Sequence, residues 1–478
     1  MNNPIKGGKV FASGGFGCLF DPGLKCNNKE GNKGDNEGDN EGDNEGNPSY
    51  QKKGVSKLMF TRHAKREYQE IVKYKTILET IPNFDRYFLV DNFRLCHPET
   101  LSAGDLEKFD KKCKALTKKQ VTAKNINTRF LKRLQAINMP YGGIDVGEYI
   151  KKEKMNYKKM ITLNETLMTL LERGILPMNQ KGIYHCDLKE SNILVDDTNP
   201  NPHHINTRII DWGLSTKYNN SRNGAVPKVL LNRPFQYNVP FSSVLFNETF
   251  KKMYKEFLEE NAGSEITYFK IHAFVIKYVT IWIDERGPGH LKLLNEILKK
   301  FFENDLKELE TSYREDMIEF SYTFYFIFEY ISKILFTFTK NGKLNLQEYF
   351  SKVFMKNIDV WGFTMTYIPL MEHLYKRYDV LNEKEQDIVD KIKECVYLII
   401  EASDVPIDTK KLISKLKELN ELFENAGYNR TPTKRSSPVS SVTTTFKKKT
   451  SSKKNSSSKS KKKTNSKKGG TKKTRKIF

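Results

Sequence analysis

Six cysteines serve 478 residues, and no two of them form a CxxC pair. Cys18, Cys26, Cys96, Cys113, Cys186 and Cys395 therefore fit neither a compact secreted disulfide framework nor a structural zinc site. Reduced thiols in a cytosol-like compartment are the expectation. The opening MNNPIKGGKV has no apolar core of the kind a secretory signal needs, so none is expected. No apolar run reaches the ~18 residues of a membrane-spanning helix. The nearest, residues 320–339, is interrupted by Glu329 and Lys333 and reads as a buried core helix. Acidic residues are missing from the last stretch altogether: residues 430–478 hold 18 Lys/Arg and no Asp or Glu, so this segment carries most of the net +23. The rest of the chain is near charge balance and, at 38% apolar content overall, can bury a sizeable core. A wholly disordered chain is excluded, as is a body that is basic throughout.

Along the chain, residues 5–26 read as two short strands around a glycine-rich turn. Residues 27–47 contain a GDNE repeat, with seven acids against two lysines and no apolar residue, and are expected to form a solvated acidic loop. Calcium ligation by this repeat lacks the alternating ligand order of an EF-hand loop. GVSKLMF (54–60) predicts a strand, followed by a helix with Ile71, Tyr74 and Leu78 on one face. Residues 87–93 predict a further strand, residues 97–130 a polar lysine-rich insertion, and residues 133–143 a strand ending at a Pro/Gly breaker. Apolar residues at 163, 167, 170 and 171 mark an amphipathic helix. After a polar loop over 214–246 come about 110 aromatic-rich, mainly helical residues, and 357–426 continue as helix. A strand-rich start and a helical remainder predict an α+β protein of two unequal lobes.

The densest chemistry lies in His185-Cys186-Asp187-Leu188-Lys189-Glu190-Ser191-Asn192, followed by Ile210-Asp211-Trp212-Gly213. Phosphoryl transfer needs a divalent metal held by hard oxygen ligands and an acceptor for the proton of the incoming hydroxyl. H-x-D-x-x-x-x-N followed by D-x-G supplies both. Asp187 is the candidate base, Asn192 and Asp211 are candidate metal ligands, and Lys189 is placed to neutralise charge on the transferring group. Upstream, Ala12-Ser13-Gly14-Gly15-Phe16-Gly17, with Leu19 beyond it, forms a glycine turn where backbone N–H groups can approach phosphates. Lys57 is the one charged side chain within its strand core and needs a carboxylate partner. Glu67 and Glu70 are both available on the helix that follows. Glu70 is the expected one, because Glu-Ile-x-x-Tyr sets it beside the core-facing stripe.

Taken together and in this order, these motifs resemble those of the eukaryotic-type protein kinase superfamily. The likeness extends to Asp359-Val360-Trp361, which resembles the start of that family's buried central helix. Gly142, Gly143 and Asp145 are similar to the segment after its adenine-binding hinge. The resemblance implies a β-rich N-lobe over 1–138, a hinge over 139–145 and a helical C-lobe over 146–428 with an insertion over about 247–355. It also implies ATP with Mg2+ as cofactors, Met139 and Asp145 among the nucleotide contacts, and a protein substrate. Asp-Leu-Lys in the catalytic loop points to Ser/Thr acceptors. Arg233-Pro-Phe-Gln-Tyr-Asn238 and the TKKTRK ending resemble protein kinases of large cytoplasmic DNA viruses, which implies a host-cytoplasm or virion location; otherwise a cytoplasmic or nuclear one is expected. Cys186 stands where the family usually has arginine, so no phosphate-driven activation switch is expected through that position.

Residues 429–478 are expected to form a disordered Lys/Ser/Thr tail able to bind nucleic acid or another polyanion non-specifically. Nuclear import, an anionic membrane surface and simple solubility are rival uses. Two rival functions stand beside the protein kinase reading: a small-molecule kinase of the aminoglycoside or choline type, and a pseudokinase scaffold working through the tail. Lys189, Gly213 and the Asp359 helix weigh against the first. The joint presence of Lys57, Asp187, Asn192 and Asp211 weighs against the second.

Overall fold

A computed structural model of the chain describes residues 8–27, 54–152, 155–198, 205–219, 224–301, 321–377 and 381–426. The expected acidic loop falls almost wholly outside these residues, and the basic tail entirely so.

The first part is a five-stranded antiparallel sheet in the order β1-β2-β3-β5-β4. Its strands are β1 (Lys9–Ser13), β2 (Gly17–Asp21), β3 (Gly54–Phe60), β4 (Arg94–Cys96) and β5 (Leu134–Pro140). β2, β3 and β5 sit in its interior, and β3 is buried at five of its seven positions. Their register places Lys57 between Leu19 on β2 and Ile137 on β5. Gly23 N–H donates to Gly54 O at 2.7 Å, so the chain returns to the sheet where it left it. Helix α1 (Thr61–Leu78) buries Ala64, Ile71, Tyr74 and Leu78, the stripe expected from the sequence.

Two expectations need correction here. Residues 87–93 form no ladder strand. Tyr87–Val90 are buried, with Tyr87 closing the helical turn before them, but they exchange only two backbone bonds with residue 209, and β4 begins after them. Every residue of that run is apolar, which fits any buried extended segment as well as a strand. The insertion over 97–130 is not merely polar: its short helical turns bury Leu101, Phe109, Leu116, Val121, Ile126 and Phe130 against Val10, Phe20 and Leu58 of the sheet.

The cysteine expectation is also overturned. Cys18 pairs with Cys113 and Cys26 with Cys96, across 95 and 70 residues of sequence. Local spacing does not report such pairs: the packing of the insertion on β2 brings Cys113 to Cys18, and the backbone bridge between residues 25–27 and 97–99 brings Cys96 to Cys26. Cys186 and Cys395 are free and buried.

The second part is mainly helical. The short strand β6 (Ile144–Asp145) leads into α2 (Val146–Lys152) and α3 (Tyr157–Leu170), the latter capped by the Asn156 side chain. β6 then joins β7 (Ile193–Asp196) and β8 (Asn206–Ile209) in a three-stranded sheet. Between β8 and the aromatic-rich region the described residues are mostly turns and short helical turns, as expected, but over 230–246 they are not a polar loop: Leu230, Phe235, Val239, Phe241 and Phe246 are buried in the core. The helices of that region are α4 (Glu248–Glu260), α5 (Tyr268–Arg286), α6 (Leu291–Phe301) and α7 (Ser321–Phe338). Helix α7 packs on α5 through rings such as Tyr268 and Phe336, and among the described residues no helix is long and apolar enough to cross a membrane. Helix α8 (Met355–Met365) is enclosed on every side over 357–365, as a helix apolar all round must be. Helices α9 (Ile368–Arg377), α10 (Glu383–Glu401) and α11 (Thr409–Ala426) complete the body.

Candidate active site

The site is assembled from β3, α1, the β1–β2 turn, the 185–192 loop and the residues after β8. Lys57 extends from the sheet interior, and its ammonium lies 2.6 Å from Glu67 Oε1 and 3.5 Å from Asp211 Oδ1. Burial would lower the Lys57 pKa, but the Asp211 and Glu67 carboxylates outweigh it and hold the amine above its usual value. At Asp211 the Lys57 charge dominates over burial and pulls the carboxyl below the ordinary range. Glu67, deep beside the sheet, is pushed up by burial, with Lys57 opposing.

Glu70 is therefore not the partner of Lys57. It is half-exposed and lies 3.6 Å from Lys73. The reason is helical phase. Counting back from the buried Tyr74 and Ile71 in steps of three and four reaches Glu67 and then Ala64, whereas Glu70 is rotated off that face. Extending the stripe by one more turn toward the helix start would have identified Glu67.

The 185–192 loop is fixed from below. Asp359 on α8 accepts the backbone N–H groups of His185 and Cys186, both at 2.8 Å. The His185 ring nitrogen Nε2 donates to Ile210 O at 2.9 Å, tying the loop to the Asp211 segment. Cys186 and Asp211 both take left-handed backbone conformations, with φ of 61° and 63°. Such positions are costly for side-chain-bearing residues and recur where the surroundings over-determine them.

Asp187 is buried, with each carboxylate oxygen engaged. Lys189 Nζ donates to Oδ2 at 3.0 Å and Asn192 Nδ2 to the same oxygen at 3.2 Å. Asn238 Nδ2 donates to Oδ1 at 2.9 Å. Asn192 also donates to Asp187 O at 2.8 Å, and its own carbonyl accepts Ile210 N–H at 3.0 Å. Asp187, Asn192, Lys189, Lys57 and Asp211 thus converge, although Lys57 lies in the five-stranded sheet and Asp211 just past β8.

At the β1–β2 turn, Gly14 N–H donates to Gly17 O at 2.9 Å, and the Cα of Gly14 faces the Lys57 side chain. A side chain at Gly17 would run into the Leu58 carbonyl at 2.6 Å, so close approach to β3 requires glycine there. Gly15 faces open space, and Phe16 is exposed and stacked on His63 at 4.8 Å. Ala12 and Leu19 pair across the hairpin, while the Ser13 hydroxyl accepts Ala115 N–H at 3.0 Å and so faces the insertion. Met139 pairs with Val55 at the end of β5 and packs beside Met59 and Ile137. Asp145 accepts Glu148 N–H at 2.9 Å, capping the start of α2.

Two site residues did not emerge from sequence reasoning as functional: Asn238 and Arg233. Arg233 is buried and donates to Val229 O at 2.9 Å and to Cys186 O at 2.7 Å. Nothing in their spacing announces this, because they reach the loop from 45 or more residues downstream.

Residues 139–236 match the protein kinase domain family. The match takes in Asp187, Asn192 and Asp211 and supports the protein kinase superfamily and a phosphotransferase that uses ATP; it does not extend to the glycine turn, Lys57 or Asp359. No curated protein matches the chain.

Proposed function

We propose that this chain is an ATP- and magnesium-dependent protein serine/threonine kinase, bilobal, with nucleotide between the sheet and the helical body. The observation that carries the reading is the Lys57 ammonium bonded to Glu67 while facing Asp211, with Asp187 and Asn192 on the adjoining loop. Lys57 is raised in pKa and so stays charged to bind α- and β-phosphate oxygens. The backbone of residues 12–17 covers the phosphates, with Leu19, Met139 and Asp145 toward the base and ribose.

Asp211 and Asn192 offer hard oxygen ligands, and the lowered pKa of Asp211 keeps its carboxylate ionised at neutral pH. Among the described residues no group of three His, Cys, Asp or Glu could hold a metal by itself. This fits magnesium, which takes one or two carboxylates and completes its shell with phosphate oxygens and water. When bound, the ion would neutralise phosphate charge.

Asp187 orients the acceptor hydroxyl and receives its proton as the hydroxyl oxygen bonds to the γ-phosphorus. The bond to the β-phosphate oxygen breaks and ADP carries away that electron pair. Lys189, already 3.0 Å from Asp187, faces the charge that develops. With labelled ATP, magnesium and a Ser/Thr-containing acceptor protein, Asp187→Ala is expected to lower turnover by ~10²–10⁴. Unchanged transfer in that variant would refute the assignment, and label appearing only in amino-sugars would replace it with a small-molecule kinase.

The 430–478 segment is proposed to contact polyanions such as nucleic acid through counterion release. Its sequence carries that reading, together with the viral resemblance and the host-cytoplasm or virion location. Loss of salt-dependent nucleic-acid binding on deleting 430–478 tests it.

A further inference from the structure

Between the catalytic loop and the inserted helices runs a strap, residues 232–238, whose backbone is held almost residue by residue. Arg286 on α5 donates to Asn232 O at 2.6 Å, and the Trp282 indole donates to Arg233 O at 3.2 Å. His290 N–H donates to Phe235 O at 2.8 Å from the loop between α5 and α6. On the opposite side the Trp361 indole on α8 donates to Tyr237 O at 2.8 Å, and the Tyr237 hydroxyl donates to Glu190 at 2.6 Å. At the end of this strap Asn238 is fully buried. Its amide nitrogen contacts two acceptors, Asp187 Oδ1 at 2.9 Å and Leu188 O at 3.1 Å. Both neighbours accept, so the nitrogen and not the oxygen must face them. The strap also returns a guanidinium to the loop: Arg233 donates to Cys186 O, at the residue where arginine is missing.

We infer that Asn238 is a positioning residue for Asp187, set by a strap that the inserted helices clamp without any phosphate. This rests on the kinase reading of the same site. Of the three groups donating to the Asp187 carboxylate, Lys189 and Asn192 belong to the loop itself. Among the described residues Asn238 alone comes from another segment, so it fixes the carboxylate against the body of the protein. Arg233 does the same for the loop backbone. The 247–355 insertion, through Trp282, Arg286 and His290, then serves to hold the strap in place. A buried donor to a reacting carboxylate acts on orientation, and a displacement of about 1 Å there costs turnover on the order of 10²-fold.

The test compares wild type, untreated and phosphatase-treated, and Asp187→Ala with Asn238→Ala, Asn238→Asp and Asn238→Thr. It measures kcat on a Ser/Thr acceptor, the Kd of a fluorescent ATP analogue, and thermal unfolding. Asn238→Asp keeps the size and replaces the donor with a second carboxylate; Asn238→Thr keeps a donor. The expected result is a fall in kcat of roughly 10–100-fold for Ala and more for Asp. Partial recovery is expected in Thr, with the analogue's Kd changed less than about twofold because Lys57 and the glycine turn lie on other elements. Unchanged kcat in both Ala and Asp overturns the inference. So does a loss of nucleotide affinity in parallel with kcat, or a phosphatase-treated wild type that has lost its activity. A wild type no more active than Asp187→Ala defeats the kinase reading itself, a separate outcome.

Discussion

The Lys57–Glu67–Asp211 cluster shows how far one side chain's environment decides its chemistry. Lys57 and Glu67 are both nearly buried, so the pair is not a surface ion pair screened by water. Removing the cation leaves the buried Glu67 carboxylate without its partner, and Lys57→Met is expected to cost about 3–5 kcal/mol at neutral pH, chiefly through Glu67, since the Asp211 side chain is 45% exposed. The pH dependence follows from Asp211, whose pKa is depressed by Lys57. A depressed carboxyl contributes stability that is present above its unfolded value and lost as pH falls through the lower folded value. The difference in unfolding temperature between wild type and Lys57→Met should therefore be largest near neutrality and shrink below about pH 4. A difference that stayed constant down to pH 3 would contradict the assignment. At this scale the sequence conveyed the type of residue well and the pairing poorly. Asp187, Asn192, Asp211 and Lys57 stand together as their motifs imply, while the choice between Glu67 and Glu70, three residues apart, depended on about 60° of helical phase.

Among the elements, α8 shows a helix shaped by what crosses it. Gly362 lies inside this helix, where replacement by alanine ordinarily gains about 1 kcal/mol. Here a methyl group would enter the Leu188 carbonyl and approach Leu188 Cβ at 2.9 Å and Asn238 O at 3.0 Å. Gly362→Ala should instead destabilise by about 1–3 kcal/mol, the usual cost of overpacking. It should also lower kcat, since both displaced segments bear on Asp187; denaturant titration and steady-state assays read the two effects. The Asp-x-Trp pattern pointed to this helix because its residues are local. The apolar run at 87–90 was ambiguous, since burial alone does not distinguish a ladder strand from an extended segment bonded at one residue of β8. The strap 232–238 was invisible as a functional element, because its carbonyls are satisfied by groups distant in sequence: the Arg286 and Trp282 side chains and the His290 backbone N–H from the insertion, and the Trp361 indole from α8.

For the whole molecule, the departure with most reach is the pair of disulfides, one joining the 97–130 insertion to β2 and the other joining the end of β4 to the chain just past β2. Alkylation of unfolded protein under non-reducing conditions should label two of the six cysteines, Cys186 and Cys395, and all six after reduction. Six labelled without reductant would restore the reading of reduced thiols. Closing a loop of 95 residues constrains the unfolded chain. Cys113→Ser is expected to cost about 2–4 kcal/mol in non-reducing denaturation.

That crosslink touches the proposed nucleotide cover directly. Cys18 follows Gly17, and Ser13 at the other end of the same turn is hydrogen-bonded to Ala115, two residues from Cys113. Both stems of the hairpin are thus moored to one block that shares an apolar core with Val10, Phe20 and Leu58 of the sheet. A flap so anchored does not flutter by itself: admitting ATP and expelling ADP would require the block and the hairpin to tilt as one, and product escape rather than bond-making would then pace the cycle.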